Sequence, residues 1–197
     1  ERHGTKRTYH EGGLKTGSYY ENGLLLHGIE YYESDAIKIK TEYNENNQRH
    51  GTRTYYYESG AINITVPYDN GAKQGTSFGF YENGARQSVS PWDNGLEHGL
   101  HTFYHANGVK GQETPYEQGL PHGTSVHWFE NGNKAYESPY EHGLLHGISV
   151  QYYESGVKSK ETPYVQGKKH GIVIYYDQDG MEEGRCDTSV NTQPECA

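Results

Sequence analysis

One dipeptide, His-Gly, returns along this chain at an almost constant spacing. It begins at His3, His27, His50, His98, His122, His146 and His170, and Gln74-Gly75 fills the remaining slot. The successive spacings are 24, 23, 24, 24, 24, 24 and 24 residues. A fixed period in this range is typical of solenoids and other repeat arrays. The chain is therefore predicted to contain eight copies of one small module, beginning near residues 3, 27, 50, 74, 98, 122, 146 and 170.

Within a repeat, residue types alternate as in a β-strand. We number each repeat from its histidine as position 1. Positions 3, 5 and 7 are mostly apolar, β-branched or aromatic, whereas positions 4 and 6 are polar, as in Ser125 and His127. A period of two predicts a strand with one buried face. Positions 3, 5 and 7 are thus expected to face the core, as Thr124, Val126 and Trp128 in one repeat and Ile148, Val150 and Tyr152 in the next.

A turn, a second strand and a second turn complete each repeat. The first turn reads Glu-Asn-Gly or Glu-Ser-Gly, as in Glu130-Asn131-Gly132. Such pairs tolerate positive φ and are strong signals of a two-residue hairpin. The second strand runs to a Pro-Tyr or Pro-Trp pair, and because proline cannot donate to the ladder, it is predicted to mark the strand's end or a bulge. These prolines are Pro67, Pro91, Pro115, Pro139 and Pro163.

The predicted fold is all-β: an elongated single sheet built from eight β-hairpins of about 24 residues, covering residues 1–184. About sixteen strands at roughly 4.8 Å each would make a sheet on the order of 75 Å long. The early repeats are irregular, since Asp35 replaces the turn glycine and residues 44–48 replace the second turn. We expect a distorted start to the array.

Composition supports a thin sheet without a deep aliphatic core. Only 31% of the residues are hydrophobic, and the mean hydropathy is -1.03. These values alone would suggest disorder. However, 26 glycines recur at regular places, and 20 tyrosines can bury area while keeping a polar tip.

The last segment, residues 185–197, lies outside the repeat and carries both cysteines, Cys186 and Cys196. Two cysteines this close are typical of a local disulfide in an exported protein. The segment is predicted to be a disulfide-closed cap over the open edge of the array. The alternative is two free thiols in a cytosolic protein.

The balance of charge restricts the partners. The formal net charge is -9, which disfavours nucleic acid, because nucleic-acid binders need a clustered basic face. It favours a partner with a basic contact surface, or serves solubility alone. No apolar run approaches the roughly 18 residues of a membrane span. No leader is visible at Glu1, so we expect either none or a trimmed, mature chain.

The recurring Tyr-Tyr-Glu-Asn/Ser-Gly, Pro-Tyr-x-x-Gly and Leu-x-His-Gly segments resemble the bacterial variant of the MORN repeat, found in antitoxin-component proteins of the YwqK type. The resemblance covers residues 3 to about 184. It implies successive β-hairpins in a curled single sheet with a groove. It also implies a scaffold, a membrane tether or a toxin-neutralising partner, and it brings no catalytic residues or cofactors. The Gln74 slot, the irregular early repeats and the cysteine tail depart from the pattern.

The histidines do not predict a metal site. Equivalent positions of adjacent hairpins are about 9–10 Å apart, whereas zinc needs nitrogens at roughly 2.0–2.1 Å from one ion. The favoured interpretation is local packing or hydrogen bonding beside a tight glycine turn. The alternative is a pH-sensing role, in which an electrostatic partner complex weakens as pH falls through about 6.

Two sets of side chains are candidates for partner binding. The first is the aromatic row at position 8, whose residue types are enriched at hot spots; the alternative is a stack packing over the turn. The second is the row of turn glutamates, whose alternative is a solvated acidic edge. The candidates are Tyr57, Tyr81, His105, Phe129, Tyr153, Glu82, Glu130 and Glu154.

These features favour a non-enzymatic interaction protein. The first hypothesis is an immunity protein or antitoxin that neutralises a cognate bacterial toxin or secreted effector, located in the periplasm or secreted if the tail disulfide forms, and otherwise cytoplasmic. The second hypothesis is a membrane-associated or structural scaffold. An enzyme is disfavoured because no nucleophile elbow, phosphate loop or His-Glu-x-x-His motif is present.

Overall fold

The computed structural model describes residues 4–9 and 15–188. The chain divides into two compact units, an N-terminal unit (Glu1–Leu96) and a C-terminal unit (Glu97–Ala197). The described residues form strands and turns and contain no helix. The strands of the N-terminal unit are β1 (Gly4–Tyr9), β2 (Lys15–Glu21), β3 (Leu24–Tyr31), β4 (Ile37–Tyr43), β5 (Arg49–Tyr56), β6 (Ile62–Asp69), β7 (Ala72–Lys73), β8 (Gly75–Phe80) and β9 (Arg86–Asp93).

A two-residue strand, β10 (Leu96–Glu97), spans the boundary between the units. The C-terminal unit contains β11 (Gly99–Tyr104), β12 (Lys110–Glu117), β13 (Leu120–Pro121), β14 (Gly123–Trp128), β15 (Lys134–Glu141), β16 (Leu144–Leu145), β17 (Gly147–Tyr152), β18 (Lys158–Val165), β19 (Lys168–Lys169), β20 (Ile172–Tyr176) and β21 (Glu182–Asp187).

Within each unit, neighbouring strands pair antiparallel. The predicted all-β sheet of hairpin repeats is therefore confirmed. Of the 21 strands in the described residues, five are two-residue segments, β7, β10, β13, β16 and β19. A break at position 1 separates each of them from the strand that follows. The sixteen longer strands are those that the repeat predicts.

The second turn is the tight one in six of the repeats, the exception being the longer turn at residues 44–48. Both of its central residues have positive φ, as in Asn94 (49°) with Gly95 (84°) and His142 (48°) with Gly143 (83°). Positive φ at both positions defines the two-residue type I′ turn, whose twist matches that of the strands it joins. The two-residue hairpin therefore lies between one repeat and the next.

The first turn is a longer connection. Between β14 and β15, Phe129 N–H donates to Asn133 O at 2.9 Å and Gly132 N–H donates to Phe129 O at 3.0 Å. Within these five residues only Gly132 has positive φ, at 89°. The prediction of a two-residue hairpin at the first turn is therefore wrong, because a register shift in the β14–β15 pair adds an extra residue. Asp35 does replace the turn glycine, as predicted, with φ of 66°.

The His-Gly pairs that begin at residues 122, 146 and 170 each lie against a proline of the preceding repeat. Gly123 has φ of 102°, and a Cβ there would lie 3.0 Å from Pro115 Cγ; at Gly147, φ is 106° and the distance to Pro139 Cγ is 3.1 Å. The N–H of the histidine before each glycine donates to the carbonyl of the same proline, at 2.9 and 3.0 Å. A side chain at this glycine would therefore meet the proline ring. This close approach accounts for a glycine beside the proline at residues 123 and 147.

The prediction that the prolines end their strand or mark a bulge is wrong. Pro115 is the sixth residue of the eight-residue β12, and the register shift of the β11–β12 pair lies at its other end. The N–H and C=O of one residue point to the same side of a strand. The missing donor of Pro115 therefore faces the break at position 1, where the neighbouring strand supplies no ladder partner.

Most of the buried side chains of the described residues are small and lie at positions 4 and 17. Ser125 is 3% exposed and Thr114 is 5% exposed, and their hydroxyl groups share a 2.7 Å hydrogen bond. In the last hairpin, Val173 and Cys186 form a cross-strand pair at the same positions and are 2% and 3% exposed. Burying a hydroxyl costs little free energy when it is hydrogen-bonded.

The prediction that positions 3, 5 and 7 form the buried face is wrong. At position 3, Ile148 is 57% exposed, and Leu100 and Ile172 are each 46% exposed. Positions 5 and 7 are mostly half-buried, and Thr102 is buried with 8% of its surface exposed. Alternation shows that the two faces of a strand differ, but it does not show which face is covered.

Cys186 is buried on β21, which runs across the predicted boundary between array and tail at residues 184 and 185. Its predicted partner, Cys196, lies outside the described residues, as does most of the predicted cap. The disulfide and the cap therefore remain predictions.

Candidate partner-binding surface

The aromatic residues predicted at position 8 begin the first turns, and their polar ends join consecutive hairpins. Tyr57 Oη donates to Phe80 O at 2.9 Å, and Tyr153 Oη donates to Tyr176 O at 2.7 Å. All five predicted residues of this row are half-buried. The Tyr57 and Tyr153 hydroxyls are therefore occupied within the sheet, which leaves ring surface for any contact with a partner.

His105 makes the same connection with its imidazole. Its Nε2 lies 2.9 Å from Trp128 O. A carbonyl oxygen only accepts hydrogen bonds, so Nε2 must carry the proton and donate. Tyr81 and Phe129 begin their turns with the same backbone hydrogen bonds, to Ala85 O and Asn133 O, both at 2.9 Å.

The predicted glutamates lie on the first turns and are exposed. The backbone carbonyls of two of them bind the preceding repeat: Asn107 Nδ2 donates to Glu130 O, and Asn131 Nδ2 donates to Glu154 O, both at 2.9 Å. Glu82 belongs to the N-terminal unit, whereas Glu130 and Glu154 belong to the C-terminal unit. The predicted partner residues are therefore distributed over two units.

A surface that the sequence analysis missed lies on one face of the C-terminal unit. Cross-strand partners share a face, and position 3 pairs with the proline at position 18 in three successive hairpins. We call this row the apolar ribbon; it consists of Leu100, Pro115, Thr124, Pro139, Ile148, Pro163 and Ile172. It crosses seven adjacent longer strands, which corresponds to about 29 Å at 4.8 Å per strand. Its three largest aliphatic side chains, Leu100, Ile148 and Ile172, are all exposed.

An inner row of carboxylates borders the apolar ribbon two residues before each proline. Glu113, Glu137 and Glu161 lie 2.5, 2.5 and 2.7 Å from the Nζ of the lysine three residues earlier. The hydrogen bond from Lys134, followed by that from Tyr152, lowers the pKa of Glu137. Burial and the bond to Glu137 raise the pKa of Tyr152 to about 12. Each carboxylate of the inner row is therefore paired with a lysine.

An outer row of carboxylates borders the other side of the apolar ribbon, two residues after the proline. Its members, Glu117 and Glu141, have side chains that are 57% and 56% exposed. Glu117 lies 3.9 Å from His122 Nε2, and Glu141 lies 3.6 Å from His146 Nδ1. The partners of these two exposed carboxylates are imidazoles, whereas those of the inner row are lysines. The outer row is therefore a source of negative potential beside the apolar ribbon.

The repeat histidine has a structural role that Gln74 reproduces. His122 Nδ1 accepts from His142 N–H at 3.4 Å, and Gln74 Oε1 accepts from Asn94 N–H at 2.8 Å. Both side chains hold the second turn of their own repeat. The interpretation of local hydrogen bonding is confirmed for His122, and the Gln74 slot preserves it.

The charge is uneven between the units. The C-terminal unit has 14 acidic and seven basic residues, whereas the N-terminal unit has 12 acidic and ten basic residues. The residue type at position 3 also differs between the units. The N-terminal unit has Thr52 and Thr76 at this position, whereas the C-terminal unit has mainly leucine and isoleucine. The apolar ribbon and most of the excess negative charge therefore occur in the same unit.

In the described part of the chain, no group of three or more His, Cys, Asp or Glu side chains is arranged to hold a metal ion. The search for membrane spans over the same residues finds no helix with the length and apolar character to cross a bilayer.

The MORN repeat variant matches this chain at three places, residues 49–70, 121–142 and 145–166. Two of the three matches lie in the C-terminal unit and include part of the apolar ribbon. No curated protein matches the chain. MORN repeats indicate a repeat-based binding or scaffold role, and proteins that contain them are generally non-enzymatic.

Proposed function

We propose that this chain neutralises a cognate bacterial toxin or secreted effector by direct protein–protein binding. The observation that carries the proposal is the apolar ribbon, whose aliphatic side chains are exposed while mostly small residues, many of them serine or threonine, are buried. Burying Leu100, Ile148 and Ile172 against a partner would stabilise a complex through the hydrophobic effect. The outer row of carboxylates would accelerate association with a partner that has a basic contact surface.

The setting of this activity is part of the proposal. A disulfide between Cys186 and Cys196 would suit a periplasmic or secreted immunity protein, whereas reduced thiols would suit a cytoplasmic antitoxin. Mass determination of the native protein with and without reductant distinguishes the two. A mass increase of about two hydrogens on reduction indicates the exported form.

Growth rescue tests the proposed function. The products of the reading frames adjacent to this gene are expressed singly, each with and without the present chain. We expect one product to arrest growth, the chain to relieve the arrest, and the two to copurify at a one-to-one ratio. A set of neighbours that are all harmless, or an arrest that persists although the chain is soluble, would contradict the proposal.

The scaffold role that MORN repeats also indicate is the second candidate. A membrane-associated scaffold should sediment with liposomes, whereas the net charge of -9 predicts no binding to anionic lipid. Cosedimentation with anionic vesicles at physiological salt would favour the scaffold over the toxin-binding protein.

A further inference from the structure

The apolar ribbon runs across the strands, and its period restricts what can lie along it. Equivalent members such as Leu100, Thr124 and Ile148 lie on every second longer strand. Neighbouring equivalent members are therefore about 9.6 Å apart. In an α-helix, residues seven apart lie on one face and are about 10.5 Å apart. In an extended strand, residues on one face recur at about 6.8 or 13.6 Å. A helix lying along the ribbon therefore fits the period better than a strand.

The charge beside the ribbon restricts the partner further. In the described residues, the exposed outer row, Glu117 and Glu141, forms its ion pairs with imidazoles, whereas the inner row is paired with lysines. A helix that lies on the ribbon would therefore meet the negative potential of the outer row along one border. Along the other border it would meet carboxylates whose charge is compensated by lysines. Lysine or arginine side chains seven residues apart would reach both Glu117 and Glu141.

A second copy of this chain fits the same surface poorly. If two ribbons faced each other, each outer row of carboxylates would approach a surface with the same excess of acidic residues. Like charges brought together in an interface are destabilising. Charge complementarity therefore favours a different, basic protein.

On the basis of the function proposed above, we infer that the apolar ribbon binds an amphipathic α-helix of the partner that has an apolar stripe and basic residues along one border of that stripe. Along a ribbon of about 29 Å, an α-helix of about 19 residues, or five turns, can lie. The apolar stripe covers Leu100, Ile148 and Ile172, and the basic border lies over the outer row.

Synthetic peptides test the inference with the full chain. The first peptide has three heptads, a leucine stripe, lysines along one border and glutamine along the other. The second peptide replaces the lysines by glutamates, and the third has the composition of the first in scrambled order. We expect the first to bind with a micromolar dissociation constant in calorimetry, and the other two to bind at least tenfold more weakly. Equal binding of any two of them would overturn the inference.

Variants locate the contact. The triple variant Leu100→Ser, Ile148→Ser, Ile172→Ser should weaken binding of the first peptide at least tenfold. The matched control is Leu24→Ser, Ile37→Ser, Ile64→Ser, which changes three exposed aliphatic residues of the N-terminal unit. Equal losses in both triple variants would contradict the assigned surface.

A single variant, Ile148→Lys, gives a second measurement that does not depend on the triple variant folding. The side chain is 57% exposed, so folding should tolerate lysine, whereas a basic helix should be repelled and bind at least fivefold more weakly. The results distinguish the failure of the helix site from the failure of the proposed function. Peptide binding without growth rescue would contradict toxin neutralisation. Growth rescue without peptide binding would contradict the helix site.

Discussion

The contact between His-Gly and proline predicts a specific cost for one added methyl group. Gly123→Ala places a Cβ at φ of 102° and 3.0 Å from Pro115 Cγ. The proline ring is fixed to the backbone and cannot rotate away. Positive φ costs a non-glycine residue about 1–2 kcal/mol, and overpacking typically adds about 1–3 kcal/mol. We expect Gly123→Ala to lower the free energy of unfolding by about 3 kcal/mol.

Two other glycines separate the backbone cost from the contact. Gly132 has φ of 89° and a nearest atom at 4.0 Å, and Gly171 has φ of 101° with Pro163 Cγ at 3.5 Å. Both distances are ordinary van der Waals contacts. Alanine at either position should therefore cost only the backbone part, about 1–2 kcal/mol.

The assay is urea unfolding followed by tryptophan fluorescence, with Pro115→Ala as the second arm of a double-mutant cycle. Removing the ring should reduce the cost of Gly123→Ala by about 1–2 kcal/mol, which is the part assigned to overpacking. The reasoning is refuted if Gly123→Ala costs no more than Gly132→Ala, or if its cost is the same with and without Pro115.

Three further predictions concern other parts of the sheet. Tyr153→Phe removes the hydrogen bond to the carbonyl of Tyr176 and should lower the free energy of unfolding by about 1 kcal/mol in urea titrations. Ser125→Leu should be destabilising by about 1–3 kcal/mol because the site is buried, whereas Ile148→Ser should change stability by less than about 0.5 kcal/mol. Because the pKa of Glu137 is lowered in the fold, its contribution is present above the ordinary glutamate pKa and is lost as pH falls through the lowered value. Glu137→Gln should therefore destabilise at pH 7, and the difference should narrow toward pH 3.

The same titrations can contradict these predictions. A free energy of unfolding that is unchanged in Tyr153→Phe would mean that the hydrogen bond of the hydroxyl does not stabilise the packing of consecutive hairpins. A larger loss for Ile148→Ser than for Ser125→Leu would mean that the faces are assigned wrongly. A Glu137→Gln difference that is constant from pH 7 to pH 3 would mean that the carboxylate charge does not contribute.

The sequence predicts the hairpin repeat well because its signals are local. The 24-residue period, the alternating strands and the glycines of both turns each depend on a few neighbouring residues. Even the exception at Asp35 is predictable, since aspartate tolerates the left-handed region better than most residues do. The turn types were assigned in the wrong places because the Asn-Gly signal at residues 131–132 does not reveal the register shift of the strands that it joins.

The buried face could not be predicted from alternation. Ile148 and Ser149 alternate in the way expected of a buried and an exposed position, yet Ile148 is exposed and the hydroxyl of Ser149 lies within hydrogen-bonding distance of Ser138 Oγ, at 3.0 Å. One signal was present in the sequence: serine or threonine recurs at both position 4 and position 17, and these positions pair across strands. A ladder of small hydroxyl side chains can satisfy its own hydrogen bonds when buried. The apolar ribbon was missed because its residues were assigned to the core.

Hydroxyl-radical footprinting of the full chain by mass spectrometry tests the central claim most directly, because it measures side-chain exposure without any substitution. Ile172 and Val173 are consecutive in β20 but are 46% and 2% exposed. The account predicts that Ile172, with Leu100 and Ile148, is oxidised at least tenfold faster than Val173. Oxidation of Val173 at the rate of Ile172, or protection of all three ribbon residues, would contradict it.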